Sequence, residues 1–202
     1  MNQSELVDII LGDLGQRTDM TSDCSAAISA AVGHYQRIRF HFLETATAIS
    51  MTSSMAYYSL PSNAIGNIDT MLITLSGKKQ SLRRARYSDI DEKDDGATYG
   101  EPAEWCVFGE RLRFYPVPDA TYTFNMSYHM SLDPPTASGS NVWTQAAAQL
   151  IRHRAAWDVW ANKLRNPEAA ANSKSAEMEA FESLLGETTR KISTGFIKKS
   201  GW

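Results

Sequence analysis

The side chains best suited to metal or acid–base chemistry are the four histidines, and none of them has a ligand-type partner nearby in the chain. His34, His41, His129 and His153 form no HExxH motif and no close ligand pair. The chain also contains no GxGxxG, GxxxxGK[ST] or GxSxG motif. We therefore expect structural or surface histidines, no bound metal and no cofactor.

Carboxylates form the densest group of potential catalytic residues. An acid–base pair needs two carboxylates in different environments, so that one pKa is raised. The run of acidic residues around Asp91 lies in a polar stretch of the sequence, with no aromatic neighbour that could desolvate the carboxylates. We interpret it as a solvated acidic face, which in a DNA channel would repel phosphates; its members include Asp91, Glu92, Asp94 and Asp95. Glu104 and Glu110 are the alternative candidates, for a hydrolase.

A basic cluster directly precedes the acidic run. Such side chains could contact phosphates and would make DNA binding salt-dependent, but no aromatics are interleaved for base stacking. Ion pairing between the subunits of a ring explains the cluster equally well. If the protein forms a ring, these side chains would lie between its subunits or face its central channel, the lumen. The candidate residues are Lys78, Lys79, Arg83 and Arg84.

Composition narrows the class of protein. The chain has 202 residues, of which 43% are hydrophobic and 21% charged, with a net charge of −3. This suffices for one substantial core, or a core with a smaller satellite, and it lacks the basic balance usual in a free-standing DNA-binding domain. Cys24 and Cys106 have no CxxC or Cys/His context, so two buried free thiols are favoured over a disulfide.

No segment is typical of export or membrane insertion. The N-terminal sequence MNQSELVDIILGDLG lacks a basic region followed by a long apolar stretch, so we expect no signal peptide. The apolar runs are far too short to cross a membrane. The sequence therefore predicts no membrane partner and synthesis in a cytoplasm.

Helical periodicity appears at both ends of the chain. Apolar residues recur at helical spacing behind Ser4, a predicted N-cap, and a second helix follows from Thr21. Helix returns over Trp143–Arg165, and Asn166 then caps a last helix that begins at Pro167. Both ends of the chain therefore consist of helices.

The middle of the chain alternates as strands do. In Thr121–Met130, every second residue is apolar and the intervening ones, including His129, are expected to face water. The Gly109–Glu110 pair separates two apolar runs and suits a type II′ hairpin turn. That register places Trp105 opposite Phe114, Val107 opposite Leu112 and Cys106 opposite Arg113.

The element order therefore predicts an α+β fold. Segments 1–41 and 141–189 are expected to form one helical bundle, because neither half is large enough to be stable alone. Segment 42–140 is then an inserted antiparallel β module, and 190–202 is a C-terminal extension. The helix over 143–165 has an unusually broad apolar surface, which indicates either a larger internal core or a contact between subunits. The candidates for this contact are Trp143, Leu150, Trp157, Trp160 and Leu164.

Several segments of the β region resemble the head-to-tail adaptor (connector) proteins of tailed bacteriophages. The resemblance starts at YYSLP, Tyr57–Pro61, and includes the later Leu82-Arg-Arg and SDID. Its strongest part is Gly100–His129, with Gly-x-Pro, an aromatic strand, a tight Gly turn, a Leu-centred strand, Pro-x-Pro-Asp and a Tyr-led strand. These are structural residues rather than a catalytic signature.

The resemblance implies a non-enzymatic part of the virion neck, assembled in the host cytoplasm. It implies a homo-oligomeric, dodecameric ring that binds the portal protein and tail or nozzle proteins and surrounds the passing genomic DNA. The C-terminal extension would then reach the portal through Arg190, Lys191, Phe196, Ile197, Lys198, Lys199 and Trp202. Another neck or tail protein, such as a completion or tube protein, is the alternative, and a hydrolytic virion enzyme is a third.

Overall fold

The structure, a computed structural model, describes residues 1–192, with the side chains of Gly66 and Asn67 outside the description. The chain has an α+β fold with mainly antiparallel sheets, which confirms the predicted fold class; the short pairs β5–β7 and β6–β9 are parallel. It divides into two compact units, here called the β unit (Glu44–Ser131) and the helical unit (Met1–Leu43 with the chain from Leu132 onward). Segment 132–140, assigned to the inserted module from sequence, thus groups with the helices.

The elements follow the order helices, strands, helices. The α-helices are α1 (Gln3–Asp13), α2 (Thr21–Tyr35), α3 (Tyr87–Lys93), α4 (Val142–Ala146), α5 (Ala148–Asp158) and α6 (Pro167–Ile192). The strands are β1 (Glu44–Ser50), β2 (Tyr57–Ser59), β3 (Ala64–Leu75), β4 (Lys78–Ser81), β5 (Arg83–Arg84), β6 (Tyr99–Gly100), β7 (Glu104–Phe108), β8 (Arg111–Tyr115), β9 (Val117–Pro118) and β10 (Thr123–Met130).

Helix α1 begins earlier than its predicted cap. Asn2 is the N-cap: its side chain accepts from the Glu5 backbone N–H at 2.8 Å, and the Glu5 carboxylate accepts from the Asn2 N–H at 3.0 Å. This reciprocal pair satisfies two backbone donors that the first turn leaves open. Ser4, the predicted cap, instead donates its hydroxyl to the Ala137 carbonyl at 2.9 Å.

The helix predicted over 143–165 is two helices followed by a π-helical turn. Ala147, with φ −124°, separates α4 from α5, and the turn spans Val159–Lys163. The prediction for the next helix is confirmed: Pro167 is its first residue, and the Asn166 side chain accepts from the Ala169 N–H at 3.1 Å.

The core of the helical unit is built mainly from faces of α1, α2 and α5, with further residues from α4, α6 and the chain after α2. Trp143, Phe40 and Ile28 are among its fully buried side chains. The spacing of its members at three and four residues is what places them on one face of each helix. The core includes Leu6, Val7, Ile10, Leu11, Cys24, Ala27, Ile28, Ala31, Val32, Tyr35, Phe40, Leu43, Trp143, Leu150, Ile151, Ala155, Val159 and Leu184.

The β unit contains two four-stranded sheets and a two-stranded pair. Sheet A has the order β1-β10-β3-β4, sheet B the order β2-β8-β7-β5, and β6 pairs with β9. A shared core lies within the unit, and it includes Met51, Tyr58, Met71, Ile73, Trp105, Leu112, Phe114, Phe124, Met126 and Tyr128.

The β7–β8 hairpin has the predicted register but a different turn. Trp105 pairs with Phe114, Val107 with Leu112, and Cys106 with Arg113. Gly109 and Glu110 both have positive φ, 57° and 60°, which is the signature of a type I′ turn and corrects the predicted type II′. The twist of a type I′ turn matches that of the flanking strands.

Strand β10 confirms the predicted alternation over most of its length. Phe124, Met126 and Tyr128 face the core and are buried. His129 was predicted to face water and is instead only 1% exposed. The pairing of β10 with β3 shifts register on both sides of Tyr128, so the simple alternation does not hold there.

Candidate assembly surfaces

Two of the predicted subunit-contact residues belong to the interior of the helical unit. Trp143 is 0% and Leu150 is 1% exposed. The Trp143 ring packs edge-on against Phe40 and Phe42, with ring centroids 6.3 and 5.2 Å apart. These two side chains therefore stabilise the folded chain and offer no surface to a second subunit.

The other three residues of the predicted contact stay at the surface. Trp157, Trp160 and Leu164 are half-buried, and the last two pack against the rim of the helical core. Two cations lie against the Trp157 ring: Arg154 at 4.4 Å and Lys174 at 5.5 Å from its centroid. An aromatic flanked by cations can contact a partner through both apolar area and charge.

A buried carboxylate lies beside Trp157. Glu177 of α6 is 2% exposed; Tyr35 of α2 donates its hydroxyl to it, and Lys174 and Arg154 approach at 2.9 and 3.4 Å. Burial acts to raise the pKa of Glu177, but the hydrogen bonds from Tyr35 and Lys174 and the charge of Arg154 lower it overall. Burial and the bond to Glu177 raise the pKa of Tyr35. Glu177 is thus ionised at neutral pH and joins three helices.

The four residues of the predicted basic cluster differ in their contacts. Lys78 and Lys79 on β4 are exposed. Arg83 forms an ion pair with Glu104, and the Arg84 guanidinium lies 5.4 Å from the centroid of the Trp105 ring. Of these four residues, only Arg83 has a carboxylate partner among the described residues, so Lys78, Lys79 and Arg84 carry the charge that a DNA channel or a partner could meet.

The carboxylates proposed for hydrolysis have no acid–base arrangement. Arg83 and Lys93, the latter at 3.0 Å, hold Glu104. The hydrogen bond from Arg83 is the main cause that lowers the pKa of Glu104, whereas a general acid needs a raised pKa. Glu110 is exposed in the hairpin turn.

Two residues of the predicted acidic face are engaged in ion pairs within the β unit. Asp91 of α3 and Asp94, the residue after that helix, bind Arg113 of β8 at 2.9 and 2.8 Å, and Arg113 is only 4% exposed. The hydrogen bond from Arg113 lowers the pKa of Asp91. Asp95 accepts from the Ala97 N–H at 3.0 Å and the Thr98 hydroxyl at 2.9 Å.

Asp95, like the exposed Glu92, nevertheless remains at the surface. Of the four acidic candidates, Glu92 and Asp95 are therefore the better suited to a lumen surface. Asp91 and Asp94 instead hold α3 against the β7–β8 hairpin.

Sequence reasoning missed the aromatic side chains gathered around Arg113. The Arg113 guanidinium lies 4.8 Å from the ring centroid of Tyr87 and 5.5 Å from that of Tyr57. Tyr87 in turn stacks on Phe108, with centroids 3.8 Å apart, and Phe108 is 51% exposed. The pairing of Cys106 with Arg113 was a usable signal, since both turn out to be buried on a hairpin face that α3 covers.

The candidate portal-binding extension is described only at its start. Arg190 and Lys191 lie in the last turn of α6, where Lys191 approaches Glu187 at 2.5 Å and the His41 ring nitrogen at 3.1 Å. Phe196, Ile197, Lys198, Lys199 and Trp202 lie outside the described residues.

Three further findings concern metals, membranes and thiols. Within residues 1–192, no three His, Cys, Asp or Glu side chains converge as metal ligands, and no helix is long and apolar enough to cross a membrane. Cys24 and Cys106 are buried free thiols, as predicted. Burial, with a smaller contribution from Asp23, raises the pKa of Cys24 to about 11, so this thiol is unreactive at neutral pH.

Comparison with known families decides the class of the protein. The family model described as SU10 adaptor protein matches residues 1–195, nearly the whole chain. The chain belongs to the SU10 adaptor family. This confirms the resemblance to phage head-to-tail adaptors, which the sequence carries in Tyr57–Pro61 and Gly100–His129. A comparison with curated proteins finds no match.

Membership of the SU10 adaptor family indicates what the surfaces described above could bind. The protein is a structural adaptor of a bacteriophage, a component of the virion neck, and the family implies contacts with portal and tail proteins. The half-buried Trp157 and Trp160 are candidates for a contact between subunits, the exposed lysines of β4 for a charged ring or lumen surface, and the C-terminal extension for the portal contact.

Proposed function

We propose that copies of this chain assemble into a dodecameric ring that joins the portal to the tail and lets the genomic DNA pass. Membership of the SU10 adaptor family over residues 1–195 carries the proposal. A ring needs one heterologous contact per subunit, repeated until the rotation closes. Modest contacts suffice, because each is multiplied around the ring. The mechanism is geometric and needs no chemical step.

The helical unit supplies one contact between neighbouring copies. Trp157, Trp160 and Leu164 are the half-buried members of the predicted set, and aromatic residues are enriched in interfaces. Trp157→Ser should prevent ring assembly while leaving the monomer folded, because its ring is half-exposed. Glu182→Ser, at an exposed position of α6, is the control and should assemble normally.

The C-terminal extension binds the portal. Its basic residues follow the last turn of α6, in which Arg190 and Lys191 are exposed, and extended tails can bind by adding a strand or by anchoring an aromatic side chain. Removing residues 193–202 should abolish co-migration with purified portal protein. The circular dichroism spectrum of the truncated chain should match that of the full chain.

The lumen carries charge of both signs. The exposed Lys78 and Lys79 and the exposed Glu92 and Asp95 are suited to line the channel or to pair between neighbours. Contact with the passing DNA would be non-specific and salt-dependent. Replacing both lysines with Gln should weaken retention on a DNA column at low salt, and retention should be unchanged if the lysines pair between subunits.

Imaging tests the proposal as a whole. Purified portal and this protein are mixed and examined by electron microscopy. We expect a second ring against the portal, with a continuous central opening. Absence of both a ring and co-migration would refute the proposal, and a ring attached to the tail rather than the portal would favour a tail-completion role.

A further inference from the structure

The β unit has four end strands in its two larger sheets, and three of them are protected against pairing. Natural sheets protect their edges with very short strands or with lysines. In sheet B, β2 has 3 residues and β5 has 2. In sheet A, β4 has 4 residues, all exposed, and begins with Lys78 and Lys79.

Strand β1, at the other end of sheet A, carries none of these protections. It has 7 residues and contains no Lys, Arg or Pro. Its register with β10 runs without a bulge from Glu44 to Ser50. Among the described residues, β10 is its one pairing strand. A regular edge of this length, with Glu44 at its first position as its single charged residue, is a template for a further strand.

The side chains of β1 indicate that the core is open beside it. Thr45, Thr47 and Ile49 are half-buried. Their cross-strand partners on β10 are fully enclosed: Tyr128 is 5%, Met126 0% and Phe124 0% exposed. Core-facing residues thus become partly accessible at β1. A strand added there would complete their burial and contribute main-chain hydrogen bonds.

The opposite side of the same sheet offers a matching stretch. Strand β3 has 12 residues, but β4 pairs only with its last part, from Leu72 to Leu75. The Leu82 N–H donates to the Met71 carbonyl at 2.8 Å, where the chain leaves the sheet. The part of β3 before Met71 is about as long as β1. Ala64, at its start, is a partly buried member of the core rim.

We propose that β1 of one copy pairs with the first half of β3 of the next copy, so that sheet A continues from subunit to subunit. The inference rests on the ring proposed above and names a contact surface for it in the β unit. Both β1 and β3 are antiparallel to β10 and therefore run in the same direction. A ring rotation preserves strand direction, so the new pairing is parallel. The contact is heterologous, as a closed ring requires.

Amide hydrogen exchange of the full-length wild-type protein tests the pairing directly. The free subunit is compared with rings assembled on purified portal. Amides of β1 that point away from β10 should exchange at least about tenfold more slowly in the ring, because they gain a partner. The amides of β4 form the internal control, since that edge is protected by lysines and should exchange equally in both states.

A matched pair of variants tests the edge independently. Thr47→Lys places a charge at a half-buried position of β1, as protected edge strands do, and should abolish ring formation with the subunit still folded by circular dichroism. Gln80→Lys makes the same kind of change on the exposed β4 and should assemble normally. Thr47→Val keeps the β-branched shape and should also assemble, which guards against a simple loss of folding.

The possible results separate this inference from the proposed function. Rings in which β1 exchanges as fast as in the free subunit, or rings formed by Thr47→Lys, overturn the pairing but leave the adaptor ring intact. Protection of β1 by portal protein in the absence of rings assigns the edge to the portal and also overturns it. If the wild-type chain forms no ring on the portal, the proposed function fails and the pairing fails with it.

Discussion

Among the described residues, each of the two units encloses one Asp, Glu, Lys or Arg side chain, and these two side chains have opposite charges. In the helical unit, Glu177 is 2% exposed and is held by Lys174, Arg154 and the Tyr35 hydroxyl. In the β unit, Arg113 is 4% exposed and is held by Asp91 and Asp94. Each charge is compensated, as buried charges must be.

The difference lies in what each charge connects. Glu177 links α6 to α2 through Tyr35 and to α5 through Arg154, so it fixes the mutual position of three helices. Arg113 links strand β8 to the C-terminal part of α3, because Asp91 lies in that helix and Asp94 directly follows it. A buried charge with polar partners on several elements supports the whole unit, whereas the ion pairs of Arg113 hold one short helix and the residue that follows it. Removal of each residue should reveal this contrast.

Arg113→Ala should have the largest effect on stability. The change leaves Asp94, whose side chain is 14% exposed, without its cation, and it also removes the contacts with the Tyr57 and Tyr87 rings. Breaking a buried ion pair by deleting one partner costs about 3 kcal/mol of unfolding free energy. Urea denaturation measures the loss. Arg111→Ala, at an exposed position of the same strand, is the control, and an equal loss there would contradict the special role of Arg113.

Glu177→Gln should cost less but act more widely. The amide can still accept from Tyr35, but it no longer attracts Lys174 and Arg154, so we expect a loss of about 1 to 2 kcal/mol. Hydrogen exchange should show faster opening in α2, α5 and α6 together. Glu179→Gln, at an exposed position of the same helix, should change neither quantity. Faster exchange confined to α6 would show that Glu177 is not a three-helix contact.

Acidification should weaken both contacts. The ordinary pKa values are 4.5 for Glu177 and 3.8 for Asp91, and both are lowered in the folded chain. A lowered carboxylate pKa contributes stability above its ordinary value and loses it as the pH falls through the folded value. The urea concentration at the denaturation midpoint should therefore decrease as the pH is lowered from about 5 to about 3. The fall should be shallower in Glu177→Gln, and an identical pH profile would refute this assignment.

The smallest effect is expected for the exposed ion pair in the β unit. Arg83 has a side-chain exposure of 70% and pairs with Glu104, which Lys93 also holds. Solvent screens such a pair and the long side chain loses entropy when fixed, so its net contribution is small. Arg83→Ala should leave the denaturation midpoint unchanged. A clear shift would mean that the ion pairs around Glu104 also act as a fixed network.

The hairpin could be predicted from residues close together in the sequence. The burial of the charged side chains could not, because it depends on contacts with residues far away in the sequence. The register of Trp105 with Phe114 follows from alternation and a Gly turn, both of which lie within a dozen residues. The burial of Arg113 depends on α3, whose position is set by carboxylates some twenty residues earlier. Trp143 shows the same limit: its apolar stripe predicted burial, but only the packing of Phe40 and Phe42 decides between a core and a subunit contact.

The family was recognisable from sequence because its signature consists of turn and strand residues that lie close together in the chain. The assembly surfaces carry no such signature. An edge strand such as β1 reads like any other run of Thr and Ala, since its exposure depends on which strands the rest of the chain places beside it.

Strand β1 has a second consequence, for the modular construction of the chain. The β unit begins at Glu44 and ends just after β10, and Glu44 is paired with His129. Paired residues on neighbouring strands have Cα atoms about 5 Å apart. The chain thus leaves and rejoins the helical unit through a gap that a short peptide linker could bridge. An insertion whose two ends lie this close together can be exchanged, enlarged or shortened as one unit, without a change in the helices.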